Sequence, residues 1–242
     1  MSANGTWEEA ESYPQPHGFD VTIGGTLWGA PQSFFCSFRG EQYFRGWRYA
    51  PDLEPGGEGD YLTDRLTDKA QEILDRVADR PFLLNLWHHT VHTPIEGKAE
   101  LVAKYASRLQ PGAVHANADY TAMVKSLDTN VGRVLAQLDE KGIAERTIVV
   151  FCSDNGGFVN TCKLHPGRTV MNNAPLRSGK GSLYEGGIRI PMIVRAPMAK
   201  LQGAVCDESI SACDLYPTLL DLVGLSASGQ NDPLDRLRCC SL

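Results

Sequence analysis

Hydrophobic positions recur every three or four residues over two long stretches of the chain. In residues 61–80 this spacing places the apolar side chains on one stripe and predicts an amphipathic helix. The same pattern predicts a second long helix over residues 118–140, and Gly142 marks its end because glycine is common just beyond a helix carboxyl terminus. A third, shorter helix is predicted over residues 214–225, with Asp214 as the residue that caps its first turn.

Two short apolar runs, residues 82–87 and 147–151, lie between the helical patterns. They are too short for helices and predict buried strands. The order helix, strand, polar loop, helix, strand, polar loop predicts an α/β fold in which helices cover a mostly parallel sheet. By contrast, residues 12–55 are rich in glycine, proline and aromatic residues and predict a long irregular segment packed over the core.

Composition and charge narrow the class of protein. The chain has 242 residues, of which 42% are hydrophobic and 21% charged, and this predicts a globular protein with a full core. A net charge of −6 without a cluster of Lys and Arg argues against nucleic acid or an anionic membrane surface as a partner. The longest apolar runs fall far short of the roughly 18 residues that a membrane span needs, so we expect a soluble chain with no membrane span. The seven cysteines form no Cys-x-x-Cys pair and do not indicate a compartment.

A carboxylate and a carboxamide, those of Asp154 and Asn155, come shortly after the second predicted strand. Ligands bind at the carboxyl ends of strands in open α/β sheets, and the two glycines that follow let the backbone approach a ligand closely. Oxygen donors suit Ca²⁺ or Mg²⁺ and argue against Zn²⁺, which prefers His or Cys. Asp-Asn-Gly-Gly is also an ordinary turn sequence, so a turn without a metal is the alternative interpretation.

Three histidines, His88, His89 and His92, follow the first predicted strand, and Lys180 lies in a Gly-Lys-Gly sequence. A hard cation flanked by a lysine and an imidazole can hold a tetrahedral oxyanion and stabilise its charge during transfer. With the acidic loop, His92 and Lys180 therefore indicate sulfuryl or phosphoryl chemistry, and a solvated loop lysine is the alternative for Lys180. Neither GxxxxGK[ST] nor GxGxxG is present, so nucleotide binding through either loop is not indicated.

Four runs of the chain resemble the sulfatase family of the alkaline phosphatase superfamily, in matching order and spacing: LWHHTVHTP, SDNGG, PLRSGKGSLYEGGIRIP and DLYPTLLDLVGL. The resemblance covers nearly all of residues 13–225. It implies a partial sulfatase catalytic domain over residues 1–225, followed by a divergent polar tail over residues 226–242. It also implies a sulfuric ester hydrolase with an alkaline-phosphatase-like α/β fold, acting on a sulfated small molecule or saccharide.

The resemblance implies roles for single residues of the matching runs. Asp154 and Asn155 would bind the active-site divalent cation, which is usually Ca²⁺ in the family, with Mg²⁺ as the alternative. Lys180 and His92 would be the catalytic residues that contact the sulfate from opposite sides.

Five further residues have weaker indications. His88 and His89 either line the substrate pocket or have a structural role at the end of the strand. His165 either faces the substrate or is an exposed loop histidine. Glu185 and Arg189 are expected to brace their loop rather than to take part in chemistry.

The chain departs from the family in one respect. Sulfatases carry a Cys-x-Pro-Ser-Arg type sequence whose Cys or Ser becomes formylglycine, the hydrated aldehyde that attacks sulfur, and none occurs here. The nearest sequence, residues 36–39, lacks the proline and has its arginine one position early, so we do not expect Cys36 to be the nucleophile. The family's further aspartate pair at the metal is also not found. We therefore expect the carboxyl-terminal part of a sulfatase catalytic domain, with a fold incomplete at its amino-terminal side and no activity by itself.

Two alternative functions stay open on the sequence. The first is a phosphodiesterase or phosphonate hydrolase of the same superfamily, and the second is a non-catalytic remnant. The first ten residues lack the basic and apolar regions of a secretory signal, whereas the resemblance implies an exported, lysosomal or periplasmic location. The sequence therefore leaves the cellular location undetermined.

Overall fold

The computed structural model describes six ranges of the chain: residues 13–25, 28–40, 50–53, 56–162, 165–199 and 203–225. The chain divides into two compact units. The larger unit comprises the residues up to 143 and residues 152–191, and the smaller unit comprises residues 144–151 and those from 192 onward. The tail predicted at residues 226–242 lies outside the described residues.

Three helices form most of the regular structure of the larger unit: α1 (Leu62–Val77), α2 (Ala99–Ala106) and α3 (Ala118–Glu140). α1 buries the predicted apolar stripe, including Leu66 and Leu74. α3 has the bounds that the hydrophobic periodicity predicted, so both long helices are confirmed. α2 was not predicted, because its 8 residues are too few to show a clear period.

Local contacts at both ends of α3 explain its bounds. The Asn117 side chain accepts a hydrogen bond from the Tyr120 backbone N–H at 3.0 Å, which caps the first turn. At the other end Gly142 has a φ of +65°, a left-handed conformation that glycine adopts without a steric penalty. Its N–H donates to the Asp139 carbonyl at 2.9 Å, so the last turn is closed.

Polar side chains join α3 to α1. Arg133 donates to the Asp68 carboxylate at 2.6 Å and to the Gln71 side-chain oxygen at 2.7 Å. Asn130, which is 1% exposed, donates to the Asp64 carboxylate at 2.7 Å. Because these buried and half-buried groups are paired, they specify how the two helices align without leaving polar atoms unsatisfied.

Irregular segments supply much of the core of the larger unit. Its fully or nearly fully buried members are Phe34, Phe38, Leu53, Tyr61, Leu62, Leu66, Ile95, Met123 and Val170. Among the described residues between 13 and 53, the chain forms a 3₁₀ turn at Gln15–His17 and no helix or strand. The predicted long irregular segment is therefore confirmed where it is described, and its buried aromatic rings pack it onto the core.

Two half-buried residues at the edge of this core are important for the site. Val91 and Phe158 both pack against the buried cluster. Val91 directly precedes His92, and Phe158 follows the turn that contains Asp154. One core therefore anchors both of the loops in which the sequence predicted functional side chains.

The strand predicted over residues 82–87 is not formed among the described residues. Exposure alternates from one residue to the next in this segment, and Leu83 and Trp87 are 69% and 81% exposed. Such alternation is typical of extended chain with one open face, but a strand also needs a ladder partner, and the described strands supply none. The prediction of a buried strand was therefore wrong.

Four strands occur among the described residues: β1 (Val149–Cys152), β2 (Thr161–Cys162), β3 (His165–Thr169) and β4 (Met192–Arg195). They form two two-stranded sheets, β1 with β4 and β2 antiparallel with β3. β1 confirms the second predicted strand, although Phe151 is 37% exposed rather than buried. The described residues thus mix helix and sheet, and they do not contain the large parallel sheet that the pattern predicted.

The smaller unit contains α5 (Leu215–Leu222), which confirms the third predicted helix. The residue predicted to cap this helix has a different role. The Asp214 carboxylate accepts a hydrogen bond from the Ser211 N–H at 2.6 Å and closes the preceding 3₁₀ turn, Ala212–Asp214, instead of capping α5.

The short helix α4 (Glu185–Ile188), in the larger unit, was not predicted because two of its residues are glycines. Across the described ranges, no helix combines the length and the apolar composition required to cross a membrane.

Candidate functional site

Asp154 and Asn155 lie in the turn that follows β1 in the chain, as the sequence predicted. Asp154 is exposed and Asn155 is half-buried. The Ser153 hydroxyl donates to the Asn155 carbonyl at 2.9 Å and tightens the turn. Within the described part of the chain neither the Asp154 nor the Asn155 side chain has a hydrogen-bond partner, so the oxygen atoms of both side chains are available to a ligand.

Glycines bring this acidic turn into backbone contact with the loop that carries Lys180. The Gly156 N–H donates to the Gly187 carbonyl at 2.9 Å, and a Cβ on Gly156 would lie 1.9 Å from the Gly186 oxygen. A Cβ on Gly186 would in turn lie 2.1 Å from the Ser178 oxygen. No larger residue fits at Gly156 or Gly186 without a backbone shift, which explains the glycines in both loops.

Lys180 is joined to the acidic turn through its main chain. Its backbone N–H donates to the Gly157 carbonyl at 2.9 Å. The next residue, Gly181, has a φ of +88°, which lets the chain turn sharply after the lysine. The Lys180 side chain is half-buried and forms no ion pair with a described carboxylate, so its ammonium group is available to an anion.

Sequence reasoning missed Asn173, which links these loops. Its Nδ2 lies 3.1 Å from the Gly157 oxygen, 3.1 Å from the Ser178 oxygen and 2.9 Å from the Gly186 oxygen. No periodicity distinguished this residue, because a pair of asparagines shortly before a proline is typical of an ordinary turn. Its three backbone partners are apparent only in the folded chain.

His92 lies in the other predicted loop, where Thr93 restrains its ring. His92 Nδ1 lies 2.9 Å from the Thr93 carbonyl oxygen and 3.1 Å from the Thr93 hydroxyl oxygen. The His92 backbone N–H donates to the His89 carbonyl at 2.7 Å. These contacts restrict the orientation of the imidazole, and the core beneath Val91 restricts the position of the loop.

Burial favours the neutral form of the other two histidines. Burial, and then the neighbouring His89, lower the pKa of His88 to about 4, against the opposing effect of Asp64. Neither ring nitrogen of His88 has a hydrogen-bond partner among the described residues. Burial, and then His92, also lower the pKa of His89, against a backbone hydrogen bond at Gly29 that raises it. Both side chains are therefore uncharged at neutral pH, and a role in lining the pocket stays a prediction.

The loop around α4 is braced by side chains, as expected. Glu185 and Arg189 form an ion pair at 3.4 Å across one turn, with both side chains exposed. The Arg177 guanidinium carbon lies 3.8 Å from the centroid of the Tyr184 ring, a cation–π contact within the same loop. The prediction for His165 lies outside the residues whose side chains the structure describes.

Cys36, in the nearest match to the family's nucleophile sequence, packs within the segment that precedes α1. A Cβ on Gly56 would lie 2.7 Å from the Cys36 sulfur, and the Cys36 N–H donates to the Asp60 carbonyl at 2.9 Å. Cys36 also packs against the buried core cluster. These contacts join it to the core and to the start of α1, and none of them involves the loops of Asp154 and Lys180.

The donor chemistry of the acidic turn fits a hard cation in part. Asp154 offers two uncommitted carboxylate oxygen atoms and Asn155 offers one carboxamide oxygen atom, whereas Ca²⁺ takes roughly six to eight oxygen ligands. The described residues contain no group of three or more His, Cys, Asp or Glu side chains placed to hold a metal. These two residues therefore supply part of a coordination shell and not a whole one.

Comparison with known proteins identifies similar sequences. A family model described as Sulfatase matches residues 4–225. A sulfatase of Formosa agariphila is 40% identical over 179 residues, which are 69% of this chain and 31% of the relative. The steryl-sulfatase of Mus musculus is 38% identical over 205 residues, which are 83% of this chain and 31% of the relative. The chain thus spans about a third of the length of these curated relatives.

Solved structures also superpose on this chain over part of their length. The crystal structure of Ps i-CgsB in complex with k-i-k-neocarrahexaose superposes with a TM-score of 0.62 at 31% identity, over 75% of this chain and 38% of that chain. A protein from a study of glycosaminoglycan metabolism by Bacteroides thetaiotaomicron superposes with a TM-score of 0.59 at 26% identity, over 73% of this chain and 35% of that chain.

Proposed function

Because the chain belongs to the sulfatase family, we propose that it carries the cation-binding and sulfate-binding part of a sulfuric ester hydrolase. The observation that supports this most directly is the hydrogen bond from the Lys180 N–H to the Gly157 carbonyl at 2.9 Å. It joins the backbone of Lys180, whose ammonium group is available, to the turn in which the side chains of Asp154 and Asn155 are available as oxygen ligands. A cation and a lysine on adjacent loops suit the binding of a tetrahedral sulfate group.

Each candidate residue has a distinct part in the proposal. Asp154 and Asn155 would hold Ca²⁺, with Mg²⁺ as the alternative, and a bound cation would draw negative charge from the sulfate oxygens. Lys180 would contact the same group as a point charge on a flexible stem. His92 would contact it with the imidazole that Thr93 orients.

The proposal assigns binding and charge stabilisation to this chain, and not nucleophilic attack. Hydrolysis by the family's route needs an activated nucleophile. The 242 residues contain no Cys-x-Pro-Ser-Arg sequence that would supply one. The expected function of the chain by itself is therefore calcium-dependent binding of sulfate without turnover.

The fold and the substrate class belong to the same proposal. We expect the mostly parallel sheet of an alkaline-phosphatase-like fold, and membership of the sulfatase family supports this expectation. The similar proteins differ in the molecules that their names mention. One relative is named a steryl-sulfatase, and one solved structure is a complex with k-i-k-neocarrahexaose. We therefore propose a sulfated small molecule or saccharide as the substrate.

Titration of the chain with Ca²⁺ and with sodium sulfate tests the proposal. We expect a calcium dissociation constant no tighter than about 10⁻⁴ M, because two protein ligands leave most of the shell to water. Sulfate affinity should rise when Ca²⁺ is present and fall about tenfold or more in Lys180→Ala. Lys69→Ala is the matched control, because Lys69 pairs with Glu72 at 2.8 Å on the surface of α1.

Three outcomes would change the proposal. Sulfate binding that is independent of both Ca²⁺ and Lys180 would overturn it. A clear preference for phosphate over sulfate would instead favour the phosphodiesterase or phosphonate hydrolase alternative. Micromolar calcium binding together with turnover of an activated aryl sulfate would show that these 242 residues hold a complete catalytic site.

A further inference from the structure

One asparagine side chain connects the three backbone segments that build the proposed site. Asn173 Nδ2 donates towards the carbonyl oxygens of Gly157, Ser178 and Gly186, at 3.1, 3.1 and 2.9 Å. Gly157 ends the acidic turn, Ser178 precedes the Gly-Lys-Gly sequence, and Gly186 lies in α4. A carboxamide nitrogen carries two hydrogens, so three acceptors require that at least one hydrogen be shared.

The Gly157 carbonyl is the point at which this network meets Lys180. It accepts from Asn173 Nδ2 at 3.1 Å and from the Lys180 backbone N–H at 2.9 Å. A carbonyl oxygen has two lone pairs, so these two bonds use its full acceptor capacity. Asn173 and the Lys180 main chain are therefore held by the same atom, next to the turn of Asp154 and Asn155.

The space around the Asn173 carboxamide fits this residue closely. A Cβ on Gly157 would lie 2.7 Å from Asn173 Oδ1, and a Cβ on Gly179 would lie 3.0 Å from Asn173 Nδ2. The side chain thus packs against backbone that lacks side chains on both sides. A longer group at position 173 would have to displace one of these backbone segments.

We propose that Asn173 is a positioning residue for sulfate binding: it holds the Lys180 loop and the acidic turn at the separation that lets one sulfate group contact both the cation and the Lys180 ammonium. This inference rests on the proposed function. Asn173 itself does not touch the sulfate. It acts by making the cation and Lys180 bind the same anion together, and this makes calcium binding and sulfate binding cooperative.

The decisive variant is Asn173→Asp. Aspartate has the same shape, but its ionised carboxylate donates no hydrogen bond and would face three carbonyl oxygens. The control is Asn172→Asp, which adds the same charge one residue away. Asn172 Oδ1 accepts from the Ala174 N–H at 2.7 Å, a role that a carboxylate keeps. A comparison of the two variants therefore separates the loss of the donor from the added charge.

The measurement is the change in affinity for inorganic sulfate between calcium-free and calcium-saturated protein, made by calorimetric titration of the full chain. Couplings between two ligand sites are typically about 5- to 150-fold, and we expect a value in this range for the parent chain and for Asn172→Asp. In Asn173→Asp the coupling should fall to about twofold or less. The affinity for Ca²⁺ alone should stay within about threefold of that of Asn172→Asp, because Asp154 and Asn155 lie together in one turn.

A double variant shows whether Asn173 acts through Lys180. If it does, Asn173→Asp in a Lys180→Ala background should lower sulfate affinity no further, whereas a general loosening of the loops would add its own loss. Hydrogen exchange of the Lys180 amide provides a second readout. Its protection should fall about tenfold or more in Asn173→Asp and stay unchanged in Asn172→Asp, because the bond to Gly157 opens more often.

The failure of this inference can be told apart from the failure of the proposed function. If the parent chain binds no sulfate in the presence of Ca²⁺, the proposed function is overturned and the role of Asn173 with it. If Lys180→Ala weakens sulfate binding but Asn173→Asp behaves like Asn172→Asp, the inference alone is overturned. If Asn173→Asp does not fold, Asn173→Ala replaces it, since it removes the donor without adding a charge, and the same outcomes apply.

Discussion

The backbone N–H of Gly156 donates to the carbonyl oxygen of Gly187 at 2.9 Å, although the two glycines lie in different loops. The contact has no room for side chains, because a Cβ on Gly156 would lie 1.9 Å from the Gly186 oxygen. The acidic turn and the loop of Lys180 are therefore packed backbone against backbone. This contact sets where the Cα atoms of the two loops lie relative to each other, and a binding site for a small anion requires such positioning.

Gly156→Ala should separate the two loops and destabilise the larger unit. We expect the free energy of unfolding to fall by about 2 kcal/mol, because the new methyl group collides with backbone and not with a movable side chain. Chemical denaturation measures this change. Gly132→Ala is the control: Gly132 lies in α3 with open space around the position of a Cβ, so alanine there should stabilise by about 0.5–1 kcal/mol. Equal stability of Gly156→Ala and the parent would contradict the close packing of the loops.

Lys180 and His92 can be tested for catalysis in a hybrid enzyme, in which this chain replaces the matching segment of the Formosa agariphila sulfatase. We expect Lys180→Ala or His92→Ala to lower kcat/KM for a sulfate ester by about 10²–10³, the usual effect of losing one positioned electrostatic group. Lys69→Ala in the same hybrid should have no effect on turnover. Near-normal kinetics in either test variant would remove that residue from the proposed site.

His88 should make the larger unit less stable in mild acid. Its folded pKa of about 4 lies below the ordinary value of 6.5, so protonation favours the unfolded chain. The stability from neutral His88 is fully present above pH 6.5 and is lost as the pH falls towards 4, by up to about 3 kcal/mol at about 1.4 kcal/mol per pKa unit.

Denaturation between pH 7 and pH 4 checks this prediction. His88→Phe should flatten the pH dependence, although His89, whose pKa is also lowered, should retain part of it. His115→Gln, at an exposed position between α2 and α3, is the control for the removal of one imidazole. If His88→Phe follows the same pH dependence as the parent, His88 is not the group that titrates.

Asn130→Ala should weaken the packing of α3 against α1. Asn130 donates to the Asp64 carboxylate at 2.7 Å and to the Ser126 carbonyl at 2.8 Å, in a site where it is 1% exposed. Its loss removes one bond of the half-buried Asp64 carboxylate, which keeps its ion pair with Lys98, and leaves a small void between the helices. It should cost about 1–2 kcal/mol in thermal or chemical unfolding. The exposed neighbour Thr129 is the control, and Thr129→Ala should change stability by no more than about 0.5 kcal/mol. A change of that small size in Asn130→Ala would show that the polar contacts between the helices do not stabilise the unit.

The long helices could be predicted from the sequence because their determinants are local. The apolar period of α3, its cap at Asn117 and the glycine at 142 all lie within a few residues of the helix itself. The residue types of the candidate site were also apparent, since Asp154, Asn155 and Lys180 lie in loops whose composition indicates anion and cation chemistry. Their roles at the site stay predictions.

Contacts between distant segments could not be predicted in the same way. An apolar run at residues 82–87 suggests a buried strand, but burial and pairing depend on which other segments come to lie beside it, and Trp87 is 81% exposed. The neutral state of His88 follows from its burial, which no local pattern specifies. The same is true of Asn173, whose three acceptors lie on segments that only the folded chain brings together. The sequence by itself therefore determined the long helices and the kinds of side chain available for chemistry. The tertiary structure decided which of these side chains meet, because hydrogen bonds and burial depend on distance in space and not on distance along the chain.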